Sequence, residues 1–327
     1  MDWFKNLFKK KRIYLDYASA TPVLPEVKRE MEKYWTKNFY NPNAIYEEGV
    51  RVKKEVEKYR TKIAGLLGVA KDSVIFTSGG TEANILAVRG VVSGKIIIEP
   101  ECHPSVFDAA KGISGSKTTL ISSVATDNKL GRKIREERKK NNSAYPLLHI
   151  DASQTASYFN ISLEALACDI LTLDAAKLYG PKGIGALVIR RGVYLNLPPL
   201  GTPPVPLIAG FAKALEIAVR DREAEAIRLS SLSRDFLESI SQLVPHAQAV
   251  QISPNIVNVF IPGILPEYLV LALDHKGVSV SAGPACESNK SEPADTPVRF
   301  SFGRPTIKKD IDIAIKIFCE TVQSMIK

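Results

Sequence analysis

The chain has 327 residues, 45% of them hydrophobic and 24% charged, a composition that excludes a disordered or fibrous protein and suits a substantial core split into a large and a small domain. No apolar run approaches the roughly 20 residues that cross a bilayer, and no signal-peptide pattern is present. The formal net charge is +9, from 44 Lys and Arg against 35 Asp and Glu. This excess attracts anions generally, but neither zinc-finger spacing nor an aromatic RNA-binding signature accompanies it, so no direct nucleic-acid contact is expected.

Residues 1–12 form a basic extension in which Trp3, Phe4, Leu7 and Phe8 share one helical face among lysines. Such an end suits a membrane surface or a docking partner, and equally a helix packed on its own protein. Beyond it, strand and helix signals alternate, which predicts an α/β fold with a mainly parallel sheet flanked by helices. Ile13–Leu15 begins a short strand, and residues 25–36 and 47–66 carry helical periodicity. Val74–Phe76 then runs into a segment that opens a further helix. Buried strands are predicted at Lys95–Ile98, Thr119–Ser122, Leu147–Ile150, Ile170–Leu173 and Ala186–Ile189. A long helix over 205–242 bridges to a small C-terminal α+β domain, with strands at Ile256–Ile261, Val278–Ser281 and Val298–Ser301 and a closing helix near 307–326. The expected domains are thus 13–204 and 205–327.

Four segments carry chemistry. Thr77-Ser78-Gly79-Gly80-Thr81 ends a strand and opens a helix, where free N–H groups and the helix dipole suit a phosphate; Thr and Gly also serve there as ordinary caps. Asp151, in His149-Ile150-Asp151-Ala152-Ser153-Gln154, follows an apolar strand at the end where ligands of parallel sheets collect. It could pair with a protonated ring nitrogen or simply cap the next turn. Lys177 follows the strand Ile170–Leu173 and could form a Schiff base if its surroundings lower its pKa; a solvated surface lysine is the plainer alternative. Cys286 lies in a small-residue polar loop, Ser281-Ala282-Gly283-Pro284-Ala285-Cys286. Cys168 and Cys319 sit in apolar helical contexts and read as inert, and packing is the expected role of Cys102. The four cysteines form no CxxC pair, which argues against metal ligation or a disulfide framework and for a reducing cytoplasm.

Taken in order, "YLDYASATP", "VIFTSGGTEANILAVRG", "HIDASQT", "KLYGPKGIGALVIRR", "SAGPAC" and "VRFSFGR" resemble the NifS-like cysteine desulfurases, in the class V aminotransferase group of fold-type I pyridoxal-phosphate (PLP) enzymes. The resemblance runs from about Tyr14 to Ile326. It implies PLP as cofactor, L-cysteine as substrate, and an enzyme persulfide on Cys286 passed to a protein acceptor for tRNA thiolation or iron–sulfur cluster assembly. It implies that Lys177 holds the cofactor and moves protons, that His103 stacks on the ring, that Asp151 pairs with its nitrogen and that Gln154 bonds its phenolic oxygen. Asn128 would lie beside that oxygen and the substrate carboxylate, and Gly80 and Thr81 would hold the phosphate. Thr202 could reach a neighbouring subunit's phosphate within a homodimer, and Arg299 would clamp the substrate carboxylate. Selenocysteine lyase, another reaction of the same group, and a non-catalytic scaffold for sulfur transfer are the alternative functions.

This chain departs from the family pattern in several places. The Gly-rich, arginine-bearing loop before Gly201-Thr202 is absent, the segment between His103 and Asn128 is short, and Tyr46 stands where a His is common. Two further departures bear directly on the chemistry. Asp174-Ala175-Ala176 stands where the family has Ser-x-His before the lysine, so a phosphate donor is missing and a carboxylate replaces another. Asp174 is therefore expected to turn away or bind something else, and cofactor affinity to be weakened. Only residues 287–298 separate Cys286 from Arg299, a short tether that predicts slow sulfur release without a dedicated acceptor.

Overall fold

The computed structural model describes residues 12–91, 94–124, 126–199, 201–283 and 296–326. The basic extension and Cys286 lie outside them. Two compact units form, one of Thr21–Arg222 and one that joins the residues preceding Thr21 to Glu223 onward. The chain enters through a two-residue strand of the second unit, β1 (Ile13–Tyr14). The first unit follows with α1 (Pro25–Glu32), α2 (Glu47–Leu67), β2 (Val74–Thr77), α3 (Gly80–Arg89), β3 (Lys95–Ile98), α4 (Pro104–Ala110), β4 (Thr118–Ser123), α5 (Lys129–Lys140), β5 (Leu147–Asp151), β6 (Ile170–Asp174), β7 (Gly185–Ile189) and the start of α6 (Val205–Leu243).

Its sheet runs β2–β7–β6–β5–β4–β3. The pairs β6–β5, β5–β4 and β4–β3 are parallel, while β7 runs antiparallel to both of its neighbours. Every residue of β5 is buried, as expected of a strand covered on both faces, and this is why it reads as an apolar run rather than an alternation. Leu148, Ile150, Leu171 and Leu173 pack in one core with Ile63, Ile208 and Phe211. Local signals set the helix ends. Pro25 and Pro104 open α1 and α4, where a missing N–H is harmless. Gly68 closes α2 in the left-handed conformation, at φ 68°. The C-terminal ends of β4, β5 and β6 share one sheet edge with the start of β7, because Gly185 pairs with both Thr77 and Asp174. Ligands of such sheets collect at this edge.

The second unit contains the remainder of α6, then β8 (Gln248–Ser253), β9 (Ile256–Phe260), α7 (Pro266–His275), β10 (Val278–Ser279), β11 (Ser281–Ala282), β12 (Val298–Ser301) and α8 (Lys308–Ile326). An antiparallel sheet runs β11–β12–β9–β8. Its core centres on Phe236, Phe300, Phe302 and Phe318, all fully buried. Phe236 lies 4.7 Å from Phe300 and 5.5 Å from Phe302, ring centre to ring centre.

Residues 13–20, expected to open the large domain, belong here instead. β1 pairs in parallel with β10, and Asp16 bridges to Ser301. Conversely, α6 begins in the first unit and passes into the second after Arg222, beyond the expected boundary at 204. Among the described residues no helix is long and apolar enough to cross a membrane.

Candidate active site

At the shared edge, the turn after β2 is built for close approach. Gly79 has φ 153°, a conformation that side chains resist. A Cβ on Gly185 would lie 2.8 Å from the Gly79 carbonyl carbon and 2.5 Å from the Leu173 oxygen, so bare backbone is required there. The N-terminus of α3 thereby meets the end of β6. The Gly80 N–H donates to one oxygen of Asp174 at 3.3 Å, and the Ala176 N–H donates to the other at 2.9 Å. The Ser78 N–H donates to the Glu82 carboxylate. Asp174 has therefore not turned away. It binds the helix end itself, with its negative charge on the positive pole of the dipole. Beside it, the Ser153 hydroxyl is buried without a hydrogen-bond partner, 3.0 Å from where a Cβ on Gly80 would stand.

Along the same edge, Asp151 is 8% exposed at the end of β5. The Asn84 amide donates to its carboxylate at 2.8 Å, and the Ser153 N–H donates to it at 3.0 Å. Asn84, fully buried in α3, also donates to the Ser105 hydroxyl at 3.1 Å. Ser105 lies 2.8 Å from His103 Nδ1, and its N–H donates to the same nitrogen at 3.2 Å. One hydrogen-bonded chain thus runs from Asp151 through Asn84 and Ser105 to His103, whose side chain caps α4. His149 stands apart from it. It is wholly buried between Ser122 and Thr172, and burial pushes its pKa down despite the Asp151 charge. His149 is a neutral structural residue.

Lys177 ends the short helical turn Ala175–Lys177 directly after β6. Thr21 fixes this turn: its hydroxyl donates to the Ala176 carbonyl at 2.8 Å and accepts from the Tyr179 N–H at 3.0 Å. The structure thus brings Gly80, His103, Asp151 and Lys177 to one edge. Thr81 is exposed on the first turn of α3, Gln154 is exposed after β5, and Asn128 starts α5. Thr202 is exposed ahead of α6. Arg299 belongs to the second unit, on β12. Its guanidinium donates to Asp16 at 3.1 Å and to Ser19 at 2.7 Å, while its Nε is buried without a partner. Burial pushes the thiols of Cys102 and Cys168 up to about 12, which fits the packing role expected of Cys102 and the apolar context of Cys168.

Asn84, Ser105 and Ser153 escaped the sequence reading. The signal was faint: a lone Asn on the inner face of a helix otherwise lined there by Ala, Leu and Val.

The family model for class-V aminotransferases matches residues 13–130, 95–201 and 199–313, and the chain belongs to that family. Within it, the chain is 30% identical to a protein of Dictyoglomus turgidum named cysteine desulfurase IscS, over 97% of this chain and 96% of that one. It is 31% identical to the cysteine desulfurase IscS of Methanosarcina thermophila, over 96% and 93%. A solved NifS-like protein superposes with a TM-score of 0.85 at 26% identity, covering 96% of this chain and 100% of the other.

The residues at the edge fit pyridoxal phosphate. A buried carboxylate with hydrogen-bonded support suits a protonated ring nitrogen, and the α3 amides with the unpartnered Ser153 hydroxyl suit a phosphate. Two carboxylates of the phosphate's own sign stand in the way: Asp174 on the Gly80 amide and Glu82 on the Ser78 amide, and Asp174 replaces a residue the family keeps uncharged. Asp174→Ser is therefore expected to tighten the PLP dissociation constant of the apoprotein about tenfold, roughly 1.4 kcal/mol. Spectrophotometric titration of the two proteins measures this, and equal constants would show that the carboxylate yields without cost.

Proposed function

We propose that the chain is a PLP-dependent L-cysteine desulfurase that leaves alanine and a persulfide on Cys286. The observation that carries this reading is the linked set Asp151–Asn84–Ser105–His103 at the sheet edge where Lys177 emerges. When bound, the cofactor supplies an electron sink next to the substrate Cα. Asp151 would hold the ring nitrogen protonated, His103 would cover the ring, and Gln154 and Asn128 would bond its oxygen. Gly80 and Thr81 would hold the phosphate, with Thr202 reaching a partner subunit's phosphate. Lys177 would anchor the group and carry the Cα proton between positions. Arg299, whose Nε has no partner, would take the substrate carboxylate. In the net reaction the substrate C–S bond breaks, its sulfur joins the Cys286 sulfur, and a C–H bond completes alanine; no external oxidant is needed.

The large apolar side chains of residues 35–46 support a homodimer. Trp35 is 56%, Phe39 65% and Ile45 97% exposed, a concentration that marks an interaction face. Buried free thiols at Cys102, Cys168 and Cys319 support a reducing, cytoplasmic setting, with a protein acceptor taking the sulfur onward.

The test is to add L-cysteine to the PLP-loaded protein, assay alanine, and weigh the Cys286 peptide. Alanine together with one extra sulfur atom on that peptide supports the desulfurase. Asp174 on the phosphate-binding amide favours a second reading, a scaffold that holds no cofactor. A colourless protein that stays colourless and inert with PLP would establish the scaffold and overturn the enzyme.

A further inference from the structure

A cavity of about 570 Å³ opens in the first unit, lined by Arg135, Arg138, Arg190, Arg191, Tyr145 and Tyr194 among others. It lies at the opposite sheet edge from the site described above. Its walls come from the last turns of α5, the start of β5 at Leu147, Asp169 just ahead of β6, and the exit of β7 at Arg190 and Arg191. β6 is five residues long, so at about 3.3 Å per residue the two edges stand roughly 17 Å apart.

The charge in this cavity is unbalanced. Asp169 is almost fully buried and accepts from Arg138 at 2.8 Å and from the Leu148 N–H at 2.8 Å, with Arg190 at 3.6 Å. Its capacity is thus spent on holding the wall together. Among the described residues Arg135 pairs with Glu164, at 3.3 Å, and that carboxylate is 86% exposed and screened by water. Two nitrogens of Arg135, Nε and Nη2, and Nε of Arg138 are buried without a hydrogen-bond partner. Buried donors of this kind are rare unless a ligand, ion or ordered water completes them. Arginine forks suit phosphoryl oxygens, the volume is that of a small-molecule site, and Tyr145 and Tyr194, 38% and 88% exposed, offer ring faces at its rim.

We propose that this cavity binds a nucleoside phosphate, with the phosphoryl groups on Arg135 and Arg191 and the base against Tyr194. Arg138 and Arg190 shape the wall through Asp169. The site is separate from the cofactor edge and does not depend on the desulfurase reading.

The test is calorimetric titration of the PLP-loaded protein with ADP and, separately, with pyrophosphate. Saturable ADP binding is expected, tighter than pyrophosphate by at least about tenfold, the scale of one added stacked ring. The double variant R135Q/R191Q should weaken both ligands at least tenfold while leaving the circular dichroism spectrum, and any cysteine turnover without nucleotide, unchanged. Tyr194→Ala should weaken ADP alone; its side chain is so exposed that the fold does not depend on it. Pyrophosphate bound as tightly as ADP, with Tyr194→Ala silent, would reduce the site to a simple anion site and overturn the nucleoside assignment. Absence of binding at millimolar ADP, or affinity unchanged in R135Q/R191Q, would overturn the site itself.

Discussion

Lys177→Ala is expected to lower alanine formation from L-cysteine by about 10⁴-fold, the upper range for loss of a positioned acid–base group, and to abolish covalent retention of the cofactor. The fold should survive. What holds this turn is backbone geometry: Thr21 grips the Ala176 carbonyl and the Tyr179 N–H, Ala175 N–H donates to Ile184, and Gly180 N–H donates to Ala175. Lys177→Ala leaves each of these bonds in place. Circular dichroism should therefore match the parent, while borohydride reduction followed by mass measurement should no longer fix the cofactor to the protein. A small primary amine added to the variant should restore part of the proton transfer, a rescue that damage to the fold would not allow. Activity within tenfold of the parent would remove Lys177 from the mechanism.

Asp151→Asn should cost about 10²-fold in turnover, the scale seen when one group aimed at developing charge is lost. The replacement has nearly the same shape and keeps an oxygen for the Ser153 N–H, but its NH2 then faces the Asn84 amide donor, so packing is spared while the charge and one hydrogen bond are lost. The effect should fall on kcat more than on KM, because the carboxylate would act on electron withdrawal through the ring nitrogen and touch no part of cysteine. Asn84→Ala probes the same point indirectly. It frees one oxygen of Asp151 and breaks the link to Ser105, so it should reproduce part of the loss as a positioning effect. An Asp151→Asn enzyme with parental kcat would sink the assignment.

Much of this was readable in the chain because the sheet is covered on both faces. Strands such as Leu147–Asp151 and Ile170–Asp174 are mostly apolar, broken only by the buried His149 and Thr172, and end in an acid, which marks the edge where ligands gather. What local pattern could not show was partnership. Ile13 and Tyr14 read as any short strand, and their pairing with Val278 and Ser279 depends on contacts far along the chain. β8 was missed because its residues are largely exposed and give no apolar run. α4 is only seven residues long and α5 is strongly polar, so neither gives a clear apolar stripe; α7 is apolar but only ten residues long, too short for its period to separate it from a strand. The site divides likewise. Lys177 and Asp151 stand in specific motifs, whereas Asn84 and Ser105 act only through hydrogen bonds whose partners lie on other elements. Asp174 was noticed as an anomaly of charge; its contact with the Gly80 amide required the fold.

That contact bears on how the protein lives before any cofactor arrives. A helix end that draws its counter-charge from its own chain has no vacancy to destabilise the empty protein, so folding need not wait for vitamin B6. Loading on the proposed site would be an exchange of one anion for another, reversible and graded. The fraction of molecules in working order would then follow the free PLP concentration, and with it the rate at which cysteine sulfur is released to the cell.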